Sequence, residues 1–237
     1  MTRLSIVVPA FNEERRIGGS LDRLLAWAET RDPRPEIIVA DDGSRDATSR
    51  IVESFASRGA RLVRLPENRG KGAALRAGVA ATAGERVLIT DADLSTPIAE
   101  IGRLEPRLAE AEIVLGSRAT TDSRITLRQP RWRELAGKLF NLAIRLLGVR
   151  GVRDSQCGFK LLRGDVAREL FGAMTIDRFA FDVELIMLAR RRGYRVVEVG
   201  VEWRNDPASR VRMLRDGVRM LVDVVRLRWR LRGAATK

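Results

Sequence analysis

Arg86-Val87-Leu88-Ile89-Thr90-Asp91-Ala92-Asp93 is the stretch that decides the fold. Apolar and β-branched residues that stop at two acids predict a buried strand delivering both carboxylates to the rim of a sheet. Open α/β folds bind ligands at such a rim. Two carboxylates one residue apart, around a small alanine, can bring oxygens to one divalent cation and leave its other positions to phosphates and water. The competing reading is a solvated turn, and the neighbouring segments decide between the two.

Toward the N-terminus, Leu4-Ser5-Ile6-Val7-Val8-Pro9 is an apolar run closed by proline, and Asn12-Glu13-Glu14 then opens an amphipathic helix through Leu21, Leu24, Leu25 and Ala28. Pro33 and Pro35 break the chain before a second strand, Glu36 to Ala40, which ends in Asp41-Asp42-Gly43-Ser44. A helix with Ile51, Val52 and Phe55 inward follows, then a third strand over Arg61 to Leu65. Asn68-Arg69-Gly70-Lys71-Gly72 leads into an alanine-rich helix from Ala73 to Ala83. This alternation predicts an α/β fold with a mostly parallel twisted sheet flanked by helices. Gly70 and Gly72 follow the third strand, not the first, and no Ser or Thr follows Lys71, so neither a dinucleotide fingerprint nor a P-loop is present. On residue type alone, Lys71 is a solvated lysine in a strand-to-helix turn.

Toward the C-terminus, Ser95, Thr96 and Pro97 predict the start of a helix running to Ala111. Ile113 to Arg118 is a strand that ends in a cation, and Arg118 either neutralises a phosphate or solvates the strand end. Thr120 to Arg133, with Arg124, Arg128 and Arg131, predicts a mobile loop near the site. Leu135, Leu139, Leu142, Ala143 and Leu146 predict a core-facing helix over 132–147. Another helix begins at Phe181-Asp182-Val183-Glu184, and Val196 to Val201 is the last predicted strand. The expected division is a catalytic domain over 1–210 and a basic amphipathic helix and tail over 211–237. Leu214, Val218, Leu221, Val225 and Trp229 share one face of that helix, which either lies at a membrane surface or caps the domain.

The 237 residues carry 44 Lys and Arg against 31 Asp and Glu, a net +13 that calls for an anionic partner. The basic residues are spread over many segments with few aromatics between them, which argues against a nucleic-acid module. With no histidine in the chain, histidine-based triads are excluded, so the chemistry must run on carboxylates, cations and metal. Cys157, the single cysteine, excludes an intramolecular disulfide and a cysteine-rich zinc site and fits a reducing cytoplasm. No run of about eighteen apolar residues is present, and nothing ahead of Leu4 resembles a signal peptide. The expectation is a chain that is neither exported nor integral.

Taken together, the motifs resemble the inverting glycosyltransferases of family 2 with the GT-A fold, in the branch of dolichyl-phosphate glucosyltransferases and polyprenyl-phosphate sugar synthases. The resemblance rests on Val7-Val8-Pro9-Ala10-Phe11-Asn12-Glu13-Glu14, Asp41-Asp42-Gly43-Ser44, Asn68-Arg69-Gly70-Lys71-Gly72, Thr90-Asp91-Ala92-Asp93-Leu94-Ser95, Gly116-Ser117-Arg118 and Asp154-Ser155-Gln156-Cys157-Gly158-Phe159-Lys160, in that order. It implies that Pro9, Ala10, Asn12 and Glu13 cradle the nucleoside and that Asp41 meets the base. It places Lys71, Asp91, Ala92 and Arg210 around the nucleotide diphosphate, with Ser209-Arg210 similar to the family's Ser-Lys pair. It further implies a Mg²⁺ or Mn²⁺ cofactor on Asp91 and Asp93, Asp93 being the more direct ligand. Arg118 and Gln156 fall where donor or acceptor phosphate is held, and Arg118, Arg128 and Arg131 are the expected acceptor-phosphate cations.

Gln156-Cys157-Gly158-Phe159-Lys160 is similar to the glucose-transferring branch, which implies a UDP-glucose donor, a polyprenyl phosphate acceptor and a peripheral enzyme on an anionic membrane surface at the inner face of the cell membrane. Mannose from GDP-mannose, an N-acetylhexosamine, or a non-lipid sugar acceptor are the alternatives. The N-terminal membrane anchor of the eukaryotic enzymes has no counterpart in these residues. Asp182 would be a catalytic base for a hydroxyl acceptor and an orienting residue for a phosphate, whose second pKa of about 6 leaves it largely ionised near neutrality.

Overall fold

The computed structural model describes residues 3–127, 151–205 and 213–233, with Gly137, Leu142, Ile144, Leu147 and Val149 between them. β1 (Leu4–Ala10) is buried along its whole length, and its two-residue alternation sets up the layers. Leu4, Ile6 and Val8 belong to one core cluster and Val7 to the other. α1 (Ile17–Glu29) covers the first face with Leu21, Leu24 and Leu25. The helix starts later than Asn12: that residue sits at φ 54, and Arg16 and Ile17 donate their amides to Glu13 O, so 12–16 form a turn.

β2 (Glu36–Asp41), α2 (Thr48–Ser54), β3 (Ala60–Arg64), α3 (Lys71–Ala80) and β4 (Arg86–Ile89) complete the parallel half. β2 and β4 flank β1, in register Ala10 with Asp41 and Val7 with Ile89, so the segments after all three strands emerge at one rim. α3 packs close on the second face because it carries Gly78: a Cβ there would lie 2.6 Å from Val7 Cγ1.

Beyond β4 the predicted long helix breaks up. A 3-10 turn (Ile98–Glu100), one turn of α4 (Ile101–Leu104) and a second 3-10 turn (Glu105–Ala109) replace it. Pro106 explains the break, since it lacks an amide and its ring crowds the preceding turn. β5 (Ile113–Ser117) follows, and then β6 (Arg124–Leu127) within the stretch expected to be a loop. β7 (Lys160–Arg163), α5 (Gly164–Ala173), α6 (Phe181–Arg191), β8 (Val196–Gly200), β9 (Glu202–Arg204) and α7 (Met213–Gly233) complete the described chain.

The main sheet has the order β3-β2-β1-β4-β7-β5-β8, and β7 runs antiparallel to both of its neighbours. β6 and β9 form a separate two-stranded sheet, so β8 is not the last strand. β7 and β6 are four residues each, too short to show a period, and only partners far away in sequence make them strands.

α7 docks through Met220, Val224 and Leu227; on the predicted apolar face Val218, Val225 and Trp229 are exposed and Leu221 is half-buried, so of the two expected roles that face does not cap the domain. Of the stripe predicted to face the core over 132–147, Leu142 is described and is exposed, while Ile144 is buried. α7 is tied down by buried polar contacts as well. Glu184 on α6, fully buried, accepts the amides of Thr175 and Ile176 at 2.7–3.1 Å, the Thr175 hydroxyl at 2.9 Å and the Arg230 guanidinium of α7 at 2.8 Å. Removing it takes the acceptor from two part-buried amides and from Arg230, and a hydrogen bond to a charged group is worth about 1.5–3 kcal/mol. Glu184→Ala is therefore expected to lose about 2–4 kcal/mol in chemical denaturation, and Glu184→Gln, which keeps an acceptor oxygen, distinctly less.

Candidate active site

The cavity at the rim has a volume of about 420 Å³, within the range of small-molecule sites. β1 and its turn supply Pro9, Ala10, Phe11, Glu13 and Arg16, and the turn after β4 supplies Asp91, Ala92 and Asp93. Gly70 and Lys71, at the N-terminus of α3, lie on another wall, where the lysine and the helix dipole favour an anion.

The turn that presents the two acids is built from all sides. Leu94 donates its amide to Asp91 O at 3.1 Å while sitting at φ 49, a left-handed conformation that a branched side chain rarely adopts. Ser20 of α1 donates its hydroxyl to Ala92 O at 2.6 Å in the core. From the opposite side Gly158 packs on Asp91 so closely that a Cβ would fall 1.9 Å from Oδ2.

The two carboxylates then experience different fields. Asp91 receives the Lys71 ammonium at 2.5 Å. Burial pushes its pKa up, but the charges of Lys71, Lys160 and Arg118 outweigh burial and hold it below the ordinary carboxylate range. Asp93 is raised, by burial and then by the Asp91 charge, against the Ser95 amide at 2.9 Å and a distant Arg16 at 4.0 Å. Asp93 is thus the acid with charge still to be neutralised. Among the described residues no group of three or more Asp, Glu, Cys or His surrounds it. A divalent cation held there would take its remaining oxygens from a diphosphate and water, which is how such ions bind nucleotides.

Around this pair, acids and cations alternate in buried couples. Asp182, 5% exposed, pairs with Lys160 at 2.6 Å, and Lys160 also donates to Cys157 O. Burial raises Asp182, and Lys160 and Lys71 offset only part of that rise. Arg118 is held by Asp154 through Nε at 2.7 Å and Nη2 at 2.8 Å, and its guanidinium lies 5.3 Å from the Trp203 ring centre. It does not line the cavity; its charge acts on Asp91 across the cluster. Gln156 is half-buried and donates its amide to Asp154 Oδ1 at 3.2 Å, so it belongs to the same buttress. The Cys157 thiol, buried and beside Asp154, has its pKa pushed up to about 11, which leaves it protonated and inert.

Two of the expected nucleoside contacts are rearranged. Asp41 does not reach the cavity: it is fully buried and accepts the amide and hydroxyl of Ser44 at 3.0 and 2.5 Å and the hydroxyl of Ser49. The next residue, Asp42, lines the cavity and organises it, accepting Asn68 Nδ2 at 2.7 Å and the amides of Arg69 and Gly70 at 2.8 Å. Asn12 likewise fixes the floor, donating to Ser44 Oγ at 2.8 Å and accepting the Arg45 amide at 2.9 Å. Arg16, Asn68, Arg178 and Phe179 complete the lining. No local pattern in the sequence marks Arg178 and Phe179, because the loop that carries them is brought in by Glu184 and by the Ala73 amide, which donates to Asp177 O at 3.0 Å. Arg128, Arg131 and Arg210 lie outside the described residues.

The sequence profile of the family described as Glycosyl transferase family 2 matches residues 5–171, which contain both acids of the rim and the Gly158 turn. The chain belongs to that family. This glycosyltransferase is 34% identical over 242 residues to dolichyl-phosphate beta-glucosyltransferase of Dictyostelium discoideum, spanning 96% of this chain and 74% of that protein. The human protein of the same name is also 34% identical, over 96% of this chain and 75% of its own. Among solved structures, mannosyl-3-phosphoglycerate synthase from Rubrobacter xylanophilus superposes with a TM-score of 0.66 at 27% identity, covering all of this chain and 76% of that one. The fold of this glycosyltransferase is GT-A-like, with the mostly parallel sheet described above.

Two expected outcomes follow from the acids. In Gly158→Ala the new methyl must displace the Asp91 carboxylate, and a displacement of about 1 Å at a reacting centre costs about 100-fold in rate; sugar-transfer assays should show that loss while circular dichroism stays that of the parent. Asp93→Asn should raise the melting temperature of the ligand-free enzyme at pH 7. The raised pKa means that ionised Asp93 destabilises the folded state above that pKa, and the difference should vanish below about pH 3.8, where the carboxyl is protonated folded and unfolded alike. Calorimetric melts at pH 7 and pH 3.5 measure both.

Proposed function

We propose that this glycosyltransferase moves glucose from UDP-glucose to a polyprenyl phosphate, working peripherally at the cytoplasmic face of a membrane. The observation that carries the reading is the state of Asp182. A sugar-hydroxyl acceptor needs a free carboxylate base, and this one is buried and locked to Lys160. A phosphate monoester brings its own negative charge, since its second pKa is about 6, and needs no base. The similarity to dolichyl-phosphate glucosyltransferases supports both glucose and a lipid phosphate.

In this scheme the acceptor phosphate oxygen attacks the anomeric carbon as the bond from that carbon to the β-phosphate oxygen breaks, and the bonding pair leaves with UDP. The nucleoside lies against Pro9, Ala10, Glu13 and Asp42, and the diphosphate against Lys71 and the start of α3. Asp93, with Asp91 behind it, would hold Mg²⁺ or Mn²⁺, which offsets the charge growing on the leaving diphosphate. Lys71 fixes Asp91, Asp154 holds the Arg118 guanidinium in place, and Asp182 pairs with Lys160 beneath the reacting centre. Arg128, Arg131 and Arg210 are assigned to the phosphates of donor and acceptor, and Arg118 acts from behind Asp91.

A second reading, a soluble phosphorylated acceptor, is favoured by the likeness to mannosyl-3-phosphoglycerate synthase. Incubation with labelled UDP-glucose, a divalent cation and either polyprenyl phosphate or 3-phosphoglycerate separates the two: label in the organic phase supports the proposal, and label only in a water-soluble phosphate overturns it. Asp93→Ala should reduce turnover about 100- to 1000-fold. The rate should fall as pH drops through about 6, where the acceptor dianion is lost. That limb should persist in Asp182→Asn; its disappearance would assign Asp182 as a base and count against a phosphate acceptor.

A further inference from the structure

The C-terminal helix α7 has two apolar faces. Met220, Val224 and Leu227 are buried against the body of the enzyme. Roughly opposite at 100° per residue, Val218, Val222, Val225 and Trp229 form a second stripe in which Val218 is 64% and Trp229 77% exposed. They account for four of the seven exposed large hydrophobic residues among those described; the others, Ile125, Leu127 and Leu142, lie around residues 128–141 in the chain. A helix that only capped the domain would carry its apolar residues inward.

What covers the outer stripe is indicated by charge. From Val218 to Gly233 the sequence has five arginines and one acid, Asp223. Arg219 and Arg226, about 80–100° from the stripe, are exposed and form no ion pair among the described residues. Arg228 and Arg230 anchor the helix instead, to Leu147 O at 2.9 Å and Glu184 at 2.8 Å, so the outer face is held in a fixed orientation. No helix among the described residues is long and apolar enough to cross a membrane. A narrow apolar stripe with free guanidinium groups at its shoulder and a Trp near its end matches a helix lying in the headgroup region, where apolar side chains enter the acyl boundary and cations meet lipid phosphates.

We propose that the outer face of α7, formed by Val218, Val222, Val225 and Trp229 with Arg219 and Arg226, is a docking surface for an anionic phospholipid bilayer. Its purpose rests on the lipid-acceptor reading, which needs the enzyme at a membrane, but it can be tested without turnover. The full chain is floated with vesicles of phosphatidylcholine alone or of phosphatidylcholine and phosphatidylglycerol at 7:3, alongside the triple variant Val218→Ser, Val225→Ser, Trp229→Ser and the charge variant Arg219→Glu, Arg226→Glu. None of these residues lines the active-site cavity.

The parent is expected to bind the anionic vesicles with a blue shift of tryptophan emission that Trp229→Phe removes, and the triple variant to bind them at least about tenfold more weakly. The charge variant should lose the preference for anionic over neutral vesicles. Equal flotation of parent and triple variant, or no flotation of the parent, would overturn the proposal, as would sedimentation showing a dimer that the triple variant breaks, since a second copy would then own the stripe. Thermal shifts with UDP, run in parallel, report on the donor site separately: their absence in the parent counts against the glucosyl-transfer reading and leaves the lipid result standing.

Discussion

The contact on which the rest of the site depends is the one between Asp91 and its two neighbours, the Lys71 ammonium at 2.5 Å and the bare Cα of Gly158. It joins the end of a parallel strand, the start of a helix and a turn ahead of an antiparallel strand. A partly buried carboxylate is tolerated there because a cation neutralises it, and it fits there because glycine leaves room. Once Asp91 takes the Lys71 hydrogen bond, the neighbouring Asp93 meets that cation only at longer range. It is left with burial and a like charge two residues away, which is the electrostatic condition for attracting a divalent ion.

The same logic extends outward as a series of couples. Lys160 pairs with Asp182 and Arg118 with Asp154 beneath the site. With no histidine in the chain and with Asp91, Asp154 and Asp182 each paired with a cation, Asp93 is the acid of this cluster left without a close cationic partner. The pairing of Asp182 suits a phosphate acceptor. The loop carrying Arg178 and Phe179 is clasped between Ala73 of α3 and Glu184 of α6, and Glu184 is in turn bonded to Arg230 of α7, so the cavity wall and the C-terminal helix share one buried carboxylate.

Where sequence reasoning misplaced an element, the cause is a competition that only distant residues resolve. The helix expected to end at Ala111 is cut by Pro106 within its own span, a local signal that the periodic apolar residues outweighed. β7 shows no alternation because it is covered on both faces, and β6 shows none because all four of its residues are exposed. The outward stripe of α7 has the stronger period, and periodicity alone left open whether it meets the domain or faces away from it. Met220 and Val224 dock because they join the core cluster that residues of α6 help to build.

By itself the sequence determined the alternating strands and helices, the parallel half of the sheet and the delivery of acids to its rim, because each of these follows from short-range patterns of apolar runs that stop at Asp, Gly or Pro. The conformation of Asn12, the division of labour between Asp41 and Asp42, the pairing of Asp182 and the space reserved by Gly158 were decided only by the tertiary structure. Which oxygen is consumed by a serine and which faces a cavity depends on groups brought together from distant positions, as Ser20 and Ala92, 72 residues apart, meet at 2.6 Å, and no local pattern carries that information.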